Sequence, residues 1–135
     1  MSDDEVAAFL DEQANGVLSL ATEDRGYGIP MSFAFDEPND RLLMDMGFGE
    51  GSKKREFLAS TIEATLTTYD WVGTNNWASV VVTGTIHEVP EEDIDEATAS
   101  WYQELATDID VAGPVEDLQW YELKIEDVSG VAVYE

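Results

Sequence analysis

Residues 77 to 89 read WASVVVTGTIHEV. Valine, threonine and isoleucine fill seven of these thirteen positions. Side chains branched at Cβ lose rotamer freedom in a helix and pack well on a pleated surface. The stretch predicts a long central strand, with Gly84 marking a bend or bulge in it. Working outward, IEATLTTYDW (62–71) predicts a long partner strand, and VGTNN (72–76) is the loop between them. On the other side Pro90 opens a helix as its first residue, followed by acids that suit the positive end of the helix dipole. Ile94, Ala97, Trp101 and Leu105 form the apolar stripe of that helix, and LQWYELKIEDVSGVAVYE (118–135) supplies a last strand or two.

Upstream, SDDEVAAFLDEQANG (2–16) predicts a helix. Ser2 and Glu5 fit a capping box, Val6, Phe9, Leu10 and Gln13 share a face, and Asn15-Gly16 stops it. The period then falls to two. GVLSLAT (16–22) is a strand, EDRGYG (23–28) a turn, and IPMSFAFD (29–36) a second strand that Pro30 places at an edge. EPND turns the chain into RLLMDM (41–46), a third strand, and GFGEG leads into a short helix from Ser52 to about Ser60. Strands joined by short turns make an antiparallel sheet. Six or seven of them in one small domain close into a barrel, which removes the sheet's edges. An open α+β sheet is the alternative. The chain reads as one domain over residues 1–135.

Charge bounds the function. Thirty acidic residues face six Lys or Arg, for a formal net charge of −24. Such a chain repels itself at low salt, whereas at molar salt the Debye length falls to about 3 Å. The composition predicts a halophilic protein of a salt-rich cytoplasm. It excludes nucleic acid and anionic membrane as partners, since both select a basic surface. With no cysteine there are no disulfides, thiolate metal sites or cysteine nucleophiles. No apolar run of membrane-spanning length and no secretory n-region is visible.

Against that background GEGSKKREF (49–57) is the anomaly, because Lys53, Lys54 and Arg55 are half of all the Lys and Arg. Ser52 is a good N-cap for the helix that follows. Lysines in a first helical turn oppose the dipole, so two of them there imply a bound anion. A phosphate fits: it takes the Ser hydroxyl, the amides and one or both ammonium groups, and Gly49 and Gly51 let the backbone approach it. The spacing is neither a Walker A loop nor G-x-G-x-x-G. The competing reading is that the cluster only neutralises nearby carboxylates. Elsewhere the residues read as structural. His87, the only histidine, lies opposite Val80 and Val82 as an exposed or satisfied side chain. Carboxylate pairs arise by chance among thirty, and the tryptophans, Met31, Met44 and Met46 are core residues by default.

Taken together, GVLSLAT…GIPMSFAF, RLLMDM followed by GSKKREFLAS, the 62–89 strand pair and YELKIEDVSGVAVYE resemble the pyridoxamine 5′-phosphate oxidase-like family of FMN-binding split β-barrels. The resemblance runs from Gly16 to about Gly130. It implies a mainly β fold with peripheral helices, an antiparallel six-stranded split barrel. It also implies that Ser52, Lys53 and Lys54 hold the FMN phosphate. The backbone of Pro30, Met31 and Ser32 would run beside the flavin ring, lined also by Met44, Asp45, Met46 and Gly47. Ser79, five before Gly84, matches a position whose polar side chain reaches the flavin. The family's site lies at a homodimer interface, so Trp77 or Trp101 would touch the cofactor from the second subunit. The arginine usual on the second strand is replaced by Ile29 or Pro30, and no residues match those that hold pyridoxamine phosphate. The asparagine-proline that often ends the short helix is Ser60-Thr61. The resemblance therefore implies an FMN-dependent oxidoreductase of another small-molecule substrate, with NAD(P)H as donor, rather than a pyridoxamine-phosphate oxidase. Alternatives on the same barrel are a non-enzymatic flavin carrier or sensor and a reductase using the deazaflavin F420. A plain ligand-binding β-barrel lies outside the family.

Overall fold

A computed structural model of the chain describes residues 1–48, 53–105 and 117–134. Along the chain run α1 (Asp3–Glu12), β1 (Asn15–Thr22), β2 (Arg25–Ser32), β3 (Ala34–Asp36), β4 (Arg41–Phe48), α2 (Lys53–Ser60), β5 (Glu63–Gly73), β6 (Asn76–Val89), α3 (Glu96–Leu105) and β7 (Asp117–Tyr134). The strands form one antiparallel sheet in the order β2-β1-β5-β6-β7-β4-β3. Its outer strands, β2 and β3, are neighbours in sequence, separated by Phe33 alone. The sheet therefore curls until its two edges meet at that residue, which makes a split barrel. Phe33 is wholly buried, and its amide donates to the Ala14 carbonyl at 2.9 Å.

Period-two patterning fills the barrel. Ala78, Val80 and Val82 of β6 face inward with Leu18, Leu66, Met44, Met46 and Leu123, all at most 2 % exposed. The methionines are core residues, as expected. A second cluster lies outside the wall, where α3 covers β3, β4 and the ends of β6 and β7: Ala34, Leu43, Val89, Tyr102 and Trp120.

Several local readings hold. Ser2 Oγ accepts from the Glu5 amide at 3.1 Å, and the Glu5 carboxylate accepts from the Ser2 amide at 3.2 Å, completing the capping box. Pro30 lies in an edge strand. The register between β6 and β7 slips at Gly84. Others are corrected. The described residues form seven strands rather than six, because IPMSFAFD breaks at Phe33 and its two parts pair with different neighbours. The first turn is only Glu23-Asp24, with Glu23 at φ 54°, so β2 begins at Arg25. Helix α1 stops at Glu12, and Asn15-Gly16 already belong to β1. Helix α3 does not start at Pro90: Glu91–Asp93 form a 3-10 turn first. Asp95 then caps α3, accepting from the Thr98 amide at 2.7 Å. That later start shifts the buried stripe to Thr98, Ala99, Trp101 and Tyr102, and leaves Ala97 exposed. Ile94 packs on the second cluster from before the helix, and the Leu105 side chain lies outside the described residues.

Arg41 ties the β3–β4 hairpin to β7. Its guanidinium donates to Asp36 and to Glu122, each at 2.8 Å, and all three side chains are largely buried. Arg41→Leu leaves two carboxylates uncompensated and is expected to cost about 3 kcal/mol in chemical denaturation. A loss below about 1 kcal/mol would place the triad among weak surface pairs.

Candidate functional site

Helix α2 sits across one mouth of the barrel because Phe57 plugs it. The ring is wholly buried, with its centroid 5.3 Å from that of Tyr27. Thr61 holds the helix end, its hydroxyl within 2.6 Å of the Phe57 carbonyl and 3.2 Å of the Ala21 carbonyl. From this anchored helix the three basic side chains fan out. Lys53 Nζ lies 5.0 Å from the Tyr27 ring centroid and 5.8 Å from that of Phe57. Lys54 Nζ donates to the Gly47 carbonyl at 2.8 Å, at the end of β4. Arg55 lies on the β7 side, near enough to lower the otherwise raised pKa of Tyr121. Burial pushes the Lys54 ammonium below the usual lysine range. A half-buried cation of that kind is relieved by an anion that accepts from it. Ser52, Gly49 and Gly51, the rest of the expected phosphate motif, lie outside the described residues.

The other expected residues divide by strand face. Met31, Met44 and Met46 point into the core, so only their backbone can meet a ligand. Pro30 is exposed beside Val17, its partner on β1. Ser32 is buried: its hydroxyl bonds the Asn15 side chain at 3.2 Å, and its carbonyl accepts from the Tyr102 hydroxyl at 3.2 Å. Asp45 and Gly47 alternate with the buried methionines along β4, and Asp45 faces α3. Asp45 lies against Tyr102 and Glu91. Burial first, and Glu91 second, raise its carboxyl above the usual carboxylate range. Its Oδ1 is shut off from solvent, with no hydrogen-bond partner among the described residues. The structure thus gathers Ser32, Asp45, Gly47 and Lys54 along one side of the barrel mouth, with Tyr102 bridging Ser32 and Asp45. Sequence reasoning missed Tyr102, whose role depends on which face α3 buries.

Ser79 and Trp77 do not join this group within one chain. Asp45 pairs with Trp120, and Trp120 with Val89. Ser79 lies ten positions further back along β6, on the order of 30 Å of strand at about 3.3 Å per residue. It sits on the outer face between Tyr69 and Val131, and Trp77 stacks on Trp71 with centroids 5.7 Å apart. Trp101 packs at the margin of the α3 cluster. His87 is exposed, 2.8 Å from the Thr85 hydroxyl, and no cluster of metal-ligating side chains occurs among the described residues.

A seven-stranded split barrel with a basic-led helix across its mouth is the class of fold that the described residues define. Within that class, the profile of the family described as pyridoxamine 5′-phosphate oxidase matches residues 2–132, and the chain belongs to that family. No curated protein matches it in sequence. Among solved structures it is similar to a FAD-binding protein from Mesorhizobium loti, with 21% identity, 100% of this chain and 96% of that one covered, and a TM-score of 0.75. It is also similar to the FAD-binding protein of Mycobacterium smegmatis (18% identity, 98% and 96% covered, TM-score 0.67). The FAD and heme binding protein of the same organism is a third (12% identity, 99% and 72% covered, TM-score 0.73). At these identities the likeness is one of fold.

Proposed function

We propose that the chain binds FMN at the α2 mouth and acts as a flavin-dependent oxidoreductase with a reduced nicotinamide, NAD(P)H, as donor. The observation that carries this reading is Lys54, a half-buried ammonium at the head of α2 beside the Gly47 carbonyl, next to Lys53. In a chain of net charge −24 that pocket selects a phosphate. Family membership supports a flavin as its bearer. Bound there, the flavin supplies the hydride chemistry. Lys53 and Lys54, with Ser52, would grip its phosphate, and the backbone of Pro30–Ser32 and of Met44–Gly47 would line its ring. The names of the Mesorhizobium and Mycobacterium neighbours favour a second reading, FAD in place of FMN at the same mouth.

We infer further that residues 1–135 act as one unit and that two copies complete the site. Tyr69, Trp71 and Val131 are 64%, 58% and 55% exposed on the outer sheet face that carries Ser79 and Trp77. An apolar patch of that kind is covered in a working protein. A partner copy would bring Ser79 and Trp77 to a mouth they cannot reach in their own chain. Purified protein is expected to be yellow and dimeric. Released cofactor identified by chromatography decides FMN from FAD or F420, and NAD(P)H turnover with an acceptor decides enzyme from carrier. A colourless protein that takes up no flavin would overturn the reading.

The acidity supports a salt-rich cytoplasm as the working place. Among the described residues no helix is long and apolar enough to cross a membrane. Unfolding free energy is expected to climb steadily between 0.1 and 2 M KCl, roughly the range over which the Debye length drops from about 10 Å to below 3 Å. A flat response in chemical denaturation would count against a halophilic origin.

A further inference from the structure

The barrel is split between β2 and β4. Strand β4 pairs with β3 only from Arg41 to Leu43, β2 pairs with β1, and among the described residues no ladder joins β2 to β4. The two strands nevertheless approach one another at this seam. Across it stands Tyr102 of α3, 4% exposed, whose hydroxyl donates to the Ser32 carbonyl at 3.2 Å. Burial pushes that hydroxyl above its ordinary range, and the Asp45 backbone on the β4 side pulls it partly back. One hydroxyl thus addresses backbone on both sides of the split. Its ring is held from behind: it meets Trp120 of β7 edge-on with centroids 5.0 Å apart, in the cluster of Ala34, Leu43 and Val89. A helix fixed on β7 reaches over β4 to the end of β2.

We propose that Tyr102 is a positioning residue for the cofactor ring: its hydroxyl sets the spacing between the β2 and β4 backbones at the split. This rests on the reading of Pro30–Ser32 and Met44–Gly47 as the walls of the flavin ring, for those segments are the two sides of the seam. A planar ring is held well by walls already at the right separation, and hydrogen bonds from behind a site fix that separation. A backbone ladder would draw the strands to about 4.8 Å and shut the gap. A bridge through a side chain joins them and keeps the gap. Without the hydroxyl the Ser32 carbonyl, on a residue 8% exposed, loses this donor, and a buried carbonyl short of a donor draws water into the seam.

The test is Tyr102→Phe in the full chain, which removes one oxygen and keeps the ring on Trp120. In cofactor-free protein, hydrogen exchange is expected to quicken severalfold over residues 29–34 and 43–47 and to stay as in the parent over β5 and β6. Titrated with FMN or FAD, whichever the parent retains, the variant is expected to bind about five- to tenfold more weakly, the measure of one hydrogen bond, with a shifted visible band of the bound flavin. Ala99→Gly loosens α3 and keeps the hydroxyl, so it is expected to lower the unfolding midpoint and leave flavin affinity and the band unchanged. That contrast separates positioning from a general loss of stability. A Tyr102→Phe protein with the parent's affinity and band, or an Ala99→Gly protein that matches it in both losses, would overturn the proposal. If the parent takes up neither flavin, it is the flavin reading that fails; quickened exchange then still supports the bridge across the split, and unchanged exchange overturns it.

Discussion

Replacing Lys53 and Lys54 together by alanine is expected to weaken flavin binding at least about 100-fold while the barrel still folds. Each ammonium contributes a charge-assisted hydrogen bond to a phosphate, about 1.5–3 kcal/mol, and two of them make the hundredfold a lower bound. The cost to the fold is small by comparison. Lys53 is exposed and rests against Tyr27 and Phe57, a cation–π contact of about 0.5–1 kcal/mol. Lys54 forfeits its bond to the Gly47 carbonyl, about 1 kcal/mol, and with it the desolvation that depresses its pKa. The plug itself, Phe57 with Thr61 behind it, is untouched. A Lys53→Arg, Lys54→Arg variant keeps both charges on a different donor geometry and is expected to retain most of the affinity. The measurement is a flavin fluorescence titration at one fixed salt concentration, with circular dichroism as the check on folding. Wild-type affinity in the double alanine variant would remove the phosphate from this helix.

What was legible in the sequence was what local chemistry settles. The capping box at Ser2 and Glu5 needs only four residues to be recognised, and Gly84 stands out in a run where every neighbour favours a strand. The break at Phe33 had no such signal. Ile29, Met31 and Phe33 are buried and Phe35 packs against them, so the period of two runs straight through the corner. Only the choice of partner changes there, from β1 to β4, and that choice is tertiary. At α3 two start signals competed. Pro90 followed by acids looked like a first turn, but Asp95 offers a side-chain acceptor to the Thr98 amide and Pro90 offers none. The stripe was misplaced as a result, and Tyr102 was lost with it. The candidate site was half legible. Its cationic end follows from counting lysines, whereas the distance separating Ser79 from Asp45 follows from a register that no composition reveals.

Gly84→Ala is expected to be more damaging than a methyl at Gly16, Gly26, Gly28, Gly73 or Gly130, costing about 4 kcal/mol or more and lowering the melting temperature by about 15 °C. A Cβ on Gly84 would stand 1.7 Å from the Lys124 carbonyl oxygen and 2.8 Å from its carbon. Both obstacles are backbone, so no side chain can turn aside. Relief would require β6 and β7 to separate, and paired residues on either side of the contact hold them together. The closeness arises from a bulge. Thr83 pairs with Asp127 and Gly84 with Ile125, which leaves Glu126 as the extra residue on β7. That one residue reverses the facing of the strand. Tyr121, Leu123 and Ile125 pack on the core before it, and Val128 and Ala132 after it, so Val131 turns outward beside Ser79. The face proposed to receive a second copy is therefore set by Gly84. Gly26→Ala serves as the control, since nothing lies within 4 Å of its added Cβ, and it should move stability by no more than about 1 kcal/mol. Thermal and urea unfolding of the two variants side by side decide the matter. A Gly84→Ala protein within about 1 kcal/mol of the parent would mean that the bulge yields, and that the outward turn of Val131 rests on something other than this contact.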